Sequence, residues 1–318
     1  VGTWLGGVVR FMFTSPLFCQ FQNKENVSNL FSNVVWTVCK DKYRSGFFLG
    51  THGSGLCYYD MREMTFQTVD LSFRSVWTLY TDSINPFLYV GTWGEGLRLY
   101  DMETRKDMSV FPSEIEHERI YSISRYNEHE LFIGTSASGV WLYNEDRKQV
   151  RSLVFPGDSL LQLNVRCIQK DKEGKGYWMA TFNAGLFHFD LDRSGFITDM
   201  EHFSFIGEEP VQATALFQDD KSVWVCMTNG LAYLEKENPE RKIKRISQLD
   251  GYFLSGIVES SDGNFWICSH EGLLFFNPLK LYVSRYLTEF IHYGIYSDNS
   301  GGLLVGTSGG LFSIAQAK

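Results

Sequence analysis

A Gly-hydrophobic pair, preceded a few residues earlier by a small residue and most often a threonine, returns eight times along this chain. The copies are Gly2-Thr3 to Gly7-Val8, Gly50-Thr51 to Gly55-Leu56, Gly91-Thr92 to Gly96-Leu97 and Gly134-Thr135 to Gly139-Val140. They continue as Ala180-Thr181 to Gly185-Leu186, Cys226-Met227 to Gly230-Leu231, Cys268-Ser269 to Gly272-Leu273 and Gly306-Thr307 to Gly310-Leu311. The mean spacing is about 43 residues, the length of one four-stranded propeller blade. A chain that repeats one supersecondary unit at this period must stack its copies, because a single unit cannot bury its own apolar face.

One unit shows the blade directly. Residues 34–39 form a short apolar, β-branched run, 46–50 a second, 56–59 a third and 66–69 an alternating fourth. Four strands at hairpin spacing, followed by the same again, make a blade, and no 3.6-residue period argues for a helical solenoid. The closing glycine suits a tight turn that needs positive φ, and the small residue before Thr lets neighbouring blades approach.

First strands follow apolar-x-x-apolar-x-x-Asp at Val35 to Asp41, Val76 to Asp82, Val165 to Asp171 and Ala213 to Asp219, with a weaker copy from His292 to Asp298. Tyr126 replaces the aspartate in the third unit, and the sixth, Leu254 to Asp262, is two residues longer. These aspartates read as turn formers that accept backbone N–H bonds. Seven first strands stand against eight second and third strands. The expectation is an all-β, seven-bladed propeller of four-stranded antiparallel blades in one domain, 1–318, with the N-terminal region supplying the missing outer strand. An eight-bladed ring, or a fragment cut out of phase with its blades, stays open.

Composition excludes several classes. Lys and Arg number 29 against 37 Asp and Glu, a net charge of −8, and no basic cluster is present to hold a polyanion, so nucleic acid is not an expected partner. No run of 18 or more apolar residues could span a membrane, and no signal peptide opens the chain. Starting inside a motif at Val1-Gly2-Thr3, the chain reads as a piece of a larger protein, attached to a membrane only through segments outside this sequence. The six cysteines form no CxxC, and Cys39, Cys57, Cys167, Cys226 and Cys268 sit in apolar runs as buried free thiols.

Residues 33–60, NVVWTVCKDKYRSGFFLGTHGSGLCYYD, resemble the two-component regulator propeller repeat, whose pattern is roughly Asn-Val-x-x-Ile-x-x-Asp, a Gly-containing turn, Leu-Trp-Ile-Gly-Thr, then Gly-Gly-Leu and an aromatic. LYVGTWGEGL at 88–97 and DGNFWICS at 262–269 are similar to the same pattern, and the likeness covers nearly the whole chain. The resemblance implies the periplasmic sensor region of a hybrid two-component histidine kinase, notably of gut Bacteroidetes. It further implies a response to oligosaccharides, control of glycan-utilisation genes, and a homodimer through the full-length sensor. This chain carries no kinase motif and calls for no cofactor or metal.

By analogy with other propellers, ligands meet the face that carries the second-to-third-strand turns. Trp4, His52, Trp93, Phe182 and His270 follow the small residue-Thr pair or its equivalent and are placed at that rim, where aromatic faces could stack on sugar rings. Arg74, Arg119 and Arg166 precede or open first strands and could bind sugar hydroxyls or a uronate carboxylate. The competing reading packs those rings over neighbouring blades and leaves the arginines as solvated charges or a partner for Glu118. Trp36 and Trp77 on first strands, and Trp178, Trp224 and Trp266 on second strands, are expected to be structural packing. Enzymatic readings lack support: the seven histidines are dispersed, and no HExxH occurs. The expected function is therefore a non-catalytic sensor propeller, with a structural or dimerising propeller as alternative and a propeller lyase or glycosidase behind it.

Overall fold

Seven four-stranded antiparallel sheets stand side by side in a computed structural model that describes residues 2–3, 7–8, 18–22, 32–71, 73–108, 112–156, 162–297 and 302–315. Their innermost strands are Val35–Lys40, Val76–Tyr80, Ile120–Arg125, Val165–Lys170, Ala213–Gln218, Leu254–Glu259 and His292–Ser297. Each inner strand contacts the next, and the seventh returns to the first, so the sheets close into a seven-bladed propeller.

Closure uses both ends of the chain. Gly302–Thr307 and Gly310–Ala315 are the middle strands of blade seven, and its outer strand is Phe18–Phe21, paired antiparallel with Gly310–Ala315. The Phe21 ring then packs on Tyr59 and Phe66 of blade one at 5.2 and 5.5 Å. The eighth copy of the repeat, Gly2–Thr3 with Gly7–Val8, forms a separate two-stranded hairpin outside the blades, which reconciles eight glycine anchors with seven first strands. Trp4 and Asp298 lie outside the described residues.

The core is divided among the junctions between blades. Seven apolar clusters occur, each built from two adjacent sheets, such as Phe132, Val140 and Leu142 of blade three against Val165, Phe187 and Phe189 of blade four. Face-to-face sheet packing of this kind dominates the stability, at about 25 cal/mol per Å² of apolar surface buried. Close approach needs the small residue of the repeat: a Cβ on Gly50 would lie 2.6 Å from Val76 Cγ1 of the next blade.

The threonine after that residue ties the turn. Thr92 Oγ1 donates to the Gly96 carbonyl at 2.7 Å and accepts the Glu95 N–H at 2.9 Å, fully buried. Thr51, Thr135, Thr181, Ser269 and Thr307 donate to the equivalent glycine carbonyls at 2.7–3.0 Å. Blade five carries Met227 there and has no hydroxyl to offer. Gly96 itself sits at φ +71, and a Cβ would meet the Ile115 carbonyl at 2.3 Å, so no other residue fits without moving the chain. The aspartates form turns as expected: Asp41 accepts the Tyr43 N–H at 2.8 Å and Asp219 the Lys221 N–H at 2.8 Å.

Two outcomes follow from this packing. Thr92→Val, which keeps the shape and removes both bonds, lowers unfolding stability by about 1–3 kcal/mol in urea titrations. His292 occupies the position filled in the other blades by Val, Ile, Leu or Ala; it is fully buried, and neither ring nitrogen has a hydrogen-bond partner. Burial outweighs the nearby Phe290 and Ser269 carbonyls and lowers its pKa from 6.5 to about 4. The unfolded chain therefore takes up a proton that the folded chain refuses, and stability falls as pH drops from 6.5 towards about 4. His292→Val flattens that part of the stability-pH curve, measured by urea titration at stepped pH.

Candidate functional site

Every inner strand carries a β-bulge at its start. In blade one, Val35 pairs with Thr51 and Thr37 with Gly50, leaving Trp36 as the extra residue. The same shift recurs in the other six blades and sets Trp77, Tyr121, Arg166, Thr214, Ser255 and Tyr293 in equivalent places. A bulge turns one side chain away from the face its neighbours use. All seven of these residues line one cavity of about 630 Å³ at the mouth of the central channel. The following position holds Thr37, Thr78, Cys167, Ala215, Gly256 and Gly294 in six blades, and these small side chains leave the channel open.

The turn tips are fixed over this mouth by one backbone bond each. The N–H groups of His52, Trp93, Phe182 and His270 donate to the carbonyls of Val34, Ser75, Asn164 and Phe253, the residues just before the inner strands, at 2.9–3.0 Å. Blades one to three consequently present a continuous aromatic wall. The Trp36 ring lies 4.7 Å from His52, 4.8 Å from Trp77 and 5.6 Å from Trp93, and Trp77 and Trp93 both reach Tyr121 at 5.1 and 5.7 Å. Trp93 remains 37% exposed at the rim. On blade six, Phe253 and His270 stack at 4.0 Å with planes 11° apart.

The other side of the mouth is polar. Thr214 Oγ1 donates to the Leu254 carbonyl at 2.6 Å and Ser255 Oγ to the His292 carbonyl at 2.7 Å, which leaves their oxygen lone pairs as acceptors. Arg166 stands between the two sides, its guanidinium 4.1 Å from the Tyr121 ring centroid, 4.9 Å from Phe182 and 5.9 Å from Trp77. Burial lowers its pKa from the usual arginine value, yet a guanidinium stays charged in proteins. Cys167 in the same lining is pushed up to about 11 by burial and stays a neutral thiol near pH 7. His270 is lowered by burial against the opposing charge of Glu271.

Of the residues singled out in the sequence, Arg166, Phe182 and His270 line the cavity, while His52 and Trp93 flank it through their contacts with Trp36. Arg119 stacks its guanidinium 5.0 Å over the Trp93 ring at the rim. Arg74 is exposed and not part of the lining; its carbonyl accepts the Gly55 N–H at 2.7 Å. Trp36 and Trp77 pack between blades as expected of them, and in addition they form the cavity wall, which the sequence reading did not assign to them. Trp178, Trp224 and Trp266 are buried as expected, and the first two donate their indole N–H to Asp171 and Asp219 at 2.9 and 2.7 Å. The missed residues carried a readable signal. Apolar residues at i and i+3 that are both buried, such as Val165 and Ile168, cannot share a face in a strand of period two, so a bulge must intervene.

Among the described residues, no group of three or more His, Cys, Asp or Glu side chains is placed to hold a metal ion. No helix there is long and apolar enough to cross a membrane.

No protein-family model and no curated protein matches the chain. Its fold is similar to the extracellular domain of the candidate hybrid two component system BT3049 from B. thetaiotaomicron, with a TM-score of 0.78 and 21% identity over 95% of this chain and 41% of that one. The extracellular domain of the candidate hybrid two component system BT4673 from the same organism gives 0.76 at 14% identity, covering 95% and 40%. Virginiamycin B lyase from Staphylococcus aureus gives 0.71 at 10% identity, covering 94% and 98%. This chain thus spans about 40% of the two extracellular domains it resembles and nearly all of the lyase.

The indole cluster has an optical consequence. Trp36, Trp77 and Trp93 lie within 4.8–5.6 Å of one another, close enough for their transitions to couple. Trp77→Phe collapses the coupled indole band in circular dichroism while the β-sheet signal persists; Trp266→Phe, remote from the cluster, leaves that band in place.

Proposed function

We propose that this propeller is the non-catalytic ligand-binding part of a periplasmic sensor in a hybrid two-component histidine kinase, and that it takes oligosaccharide in the mouth of its channel. The observation that carries the reading is the cavity's uneven wall. Three blades supply Trp36, Trp77 and Tyr121, and two others supply Thr214 and Ser255 as acceptors. Sugars present apolar ring faces and hydroxyl donors on different sides, and a stacked ring contributes about 1–2 kcal/mol through buried area. The fold shared with extracellular domains of two candidate hybrid two component systems supports the sensor assignment, as does the repeat pattern of the sequence. In that setting the kinase, the membrane segment and the dimer contacts belong to other parts of the protein.

A purely structural propeller would pack its rim rings over the channel and leave no cavity. Here the rim rings do pack on one another, yet they frame an open site of about 630 Å³, large enough for an oligosaccharide end. A lyase reading of the same site would need a base and an acid in reach of the ligand; the lining offers the imidazole of His270 and the phenols of Tyr121 and Tyr293, and no carboxylate.

Calorimetry of the chain against a panel of plant, host and microbial oligosaccharides is expected to find a binder. Trp77→Ala is expected to weaken that binding about tenfold or more with the fold intact by circular dichroism. Silence across the panel, or undiminished affinity in the variant, would remove the channel mouth as the sensing site. Release of a cleaved product during the titration would move the protein to the lyase class.

A further inference from the structure

We infer that the channel mouth selects a saccharide bearing a carboxylate, and that Arg166 is the residue that reads it. This deepens the reading of the cavity as a saccharide site and rests on it. Arg166 forms no hydrogen bond or ion pair with any described residue, and its buried Nε has no partner. Its neighbours are the rings of Tyr121, Phe182 and Trp77, which hold the cation by their faces and leave its N–H groups unspent.

The surroundings set the sign of the site. The lining contains no Asp or Glu, although the whole chain has a net charge of −8. Of the carboxylates near the rim, Glu118 accepts the Ser138 hydroxyl at 2.5 Å, and Glu271 lies outside the lining, where its charge acts on His270. His270 and Cys167 add no charge near pH 7, because burial disfavours the protonated imidazole and the thiolate. Arg166 is therefore the fixed charge of the cavity. Two other half-buried arginines are paired: Arg105 with Asp41 at 2.5 Å, and Arg125 with both Asp82 and Glu145. A half-buried guanidinium without a carboxylate is incomplete, and a planar carboxylate completes it with two parallel N–H···O bonds.

The same geometry orients the ligand. A ring stacked on the Trp36–Trp77 wall directs its substituents either towards Arg166 or towards Thr214 and Ser255. The carboxylate goes to the first and hydroxyl donors to the second. A neutral sugar would stack equally well and offer the guanidinium only hydroxyl acceptors and no counter-charge, so discrimination between acid and neutral forms comes from this one residue.

Two measurements test this, both on the intact chain. In the first, tryptophan fluorescence is quenched with iodide and with caesium. Iodide is expected to reach the cavity indoles more effectively than caesium despite the negative net charge, and Arg166→Gln is expected to abolish that preference. In the second, binding of oligogalacturonides and glucuronate-containing oligosaccharides is compared with that of their methyl esters. Esterification and Arg166→Gln should each weaken binding about tenfold to a hundredfold, with partial recovery in Arg166→Lys. Equal binding of acid and ester, unchanged in Arg166→Gln, would overturn the inference and leave the saccharide site standing. Failure of both acidic and neutral saccharides to bind would instead remove the reading it rests on. The iodide preference would then decide alone: kept and dependent on Arg166, it preserves an anion site; lacking, it ends the inference.

Discussion

Where two blades meet at the axis, a small residue on one second strand lies against the inner strand of the next, and everything else in the molecule accommodates that contact. Gly50 admits Val76, Gly91 admits Ile120 and Gly134 admits Val165 at distances where a Cβ would collide. Sheets that pack face to face and also converge on an axis have no room for larger groups there. The inner strand answers with a bulge that keeps its first apolar residue in the junction and turns the next one into the channel. The site is thus a by-product of how the ring closes.

That origin explains why the scaffold can be regular and the site asymmetric. The buried position before the bulge is apolar in six blades and His292 in the seventh, whereas the bulged position ranges from tryptophan to arginine, threonine and serine. Core packing constrains the first, because a junction side chain touches two sheets. The second faces the channel and is free to vary. Seven equivalent backbone positions can therefore carry different chemistries without disturbing the fold.

Legibility from sequence followed the same division. The repeat, the four-strand unit and the turn role of the aspartates could all be read, since each depends on local periodicity. Closure by an outer strand from the N-terminal region could be favoured but not decided, because eight glycine anchors against seven first strands left an eight-bladed ring open. Phe182, His270 and Arg166 could also be placed near the mouth, because they sit at fixed offsets from the repeat. Trp36 and Trp77 could not be placed by alternation alone: the bulge shifts the register by one residue, and one residue exchanges the two faces of a strand. Arg74 lies one residue outside the bridge that joins Ser75 to His52, whereas Arg119 holds the equivalent bridge position opposite Trp93.

By itself the sequence determined a β-propeller, because a 43-residue unit ending in a left-handed glycine has few other ways to bury its strands. Only the tertiary structure decided that the ring has seven blades, that the eighth motif stands apart, and that one cation faces three aromatic rings with no acid beside it. These depend on which distant segments meet at the axis. Residues from blades two, three and four come together around Arg166 only when the ring closes, and no local pattern records that meeting.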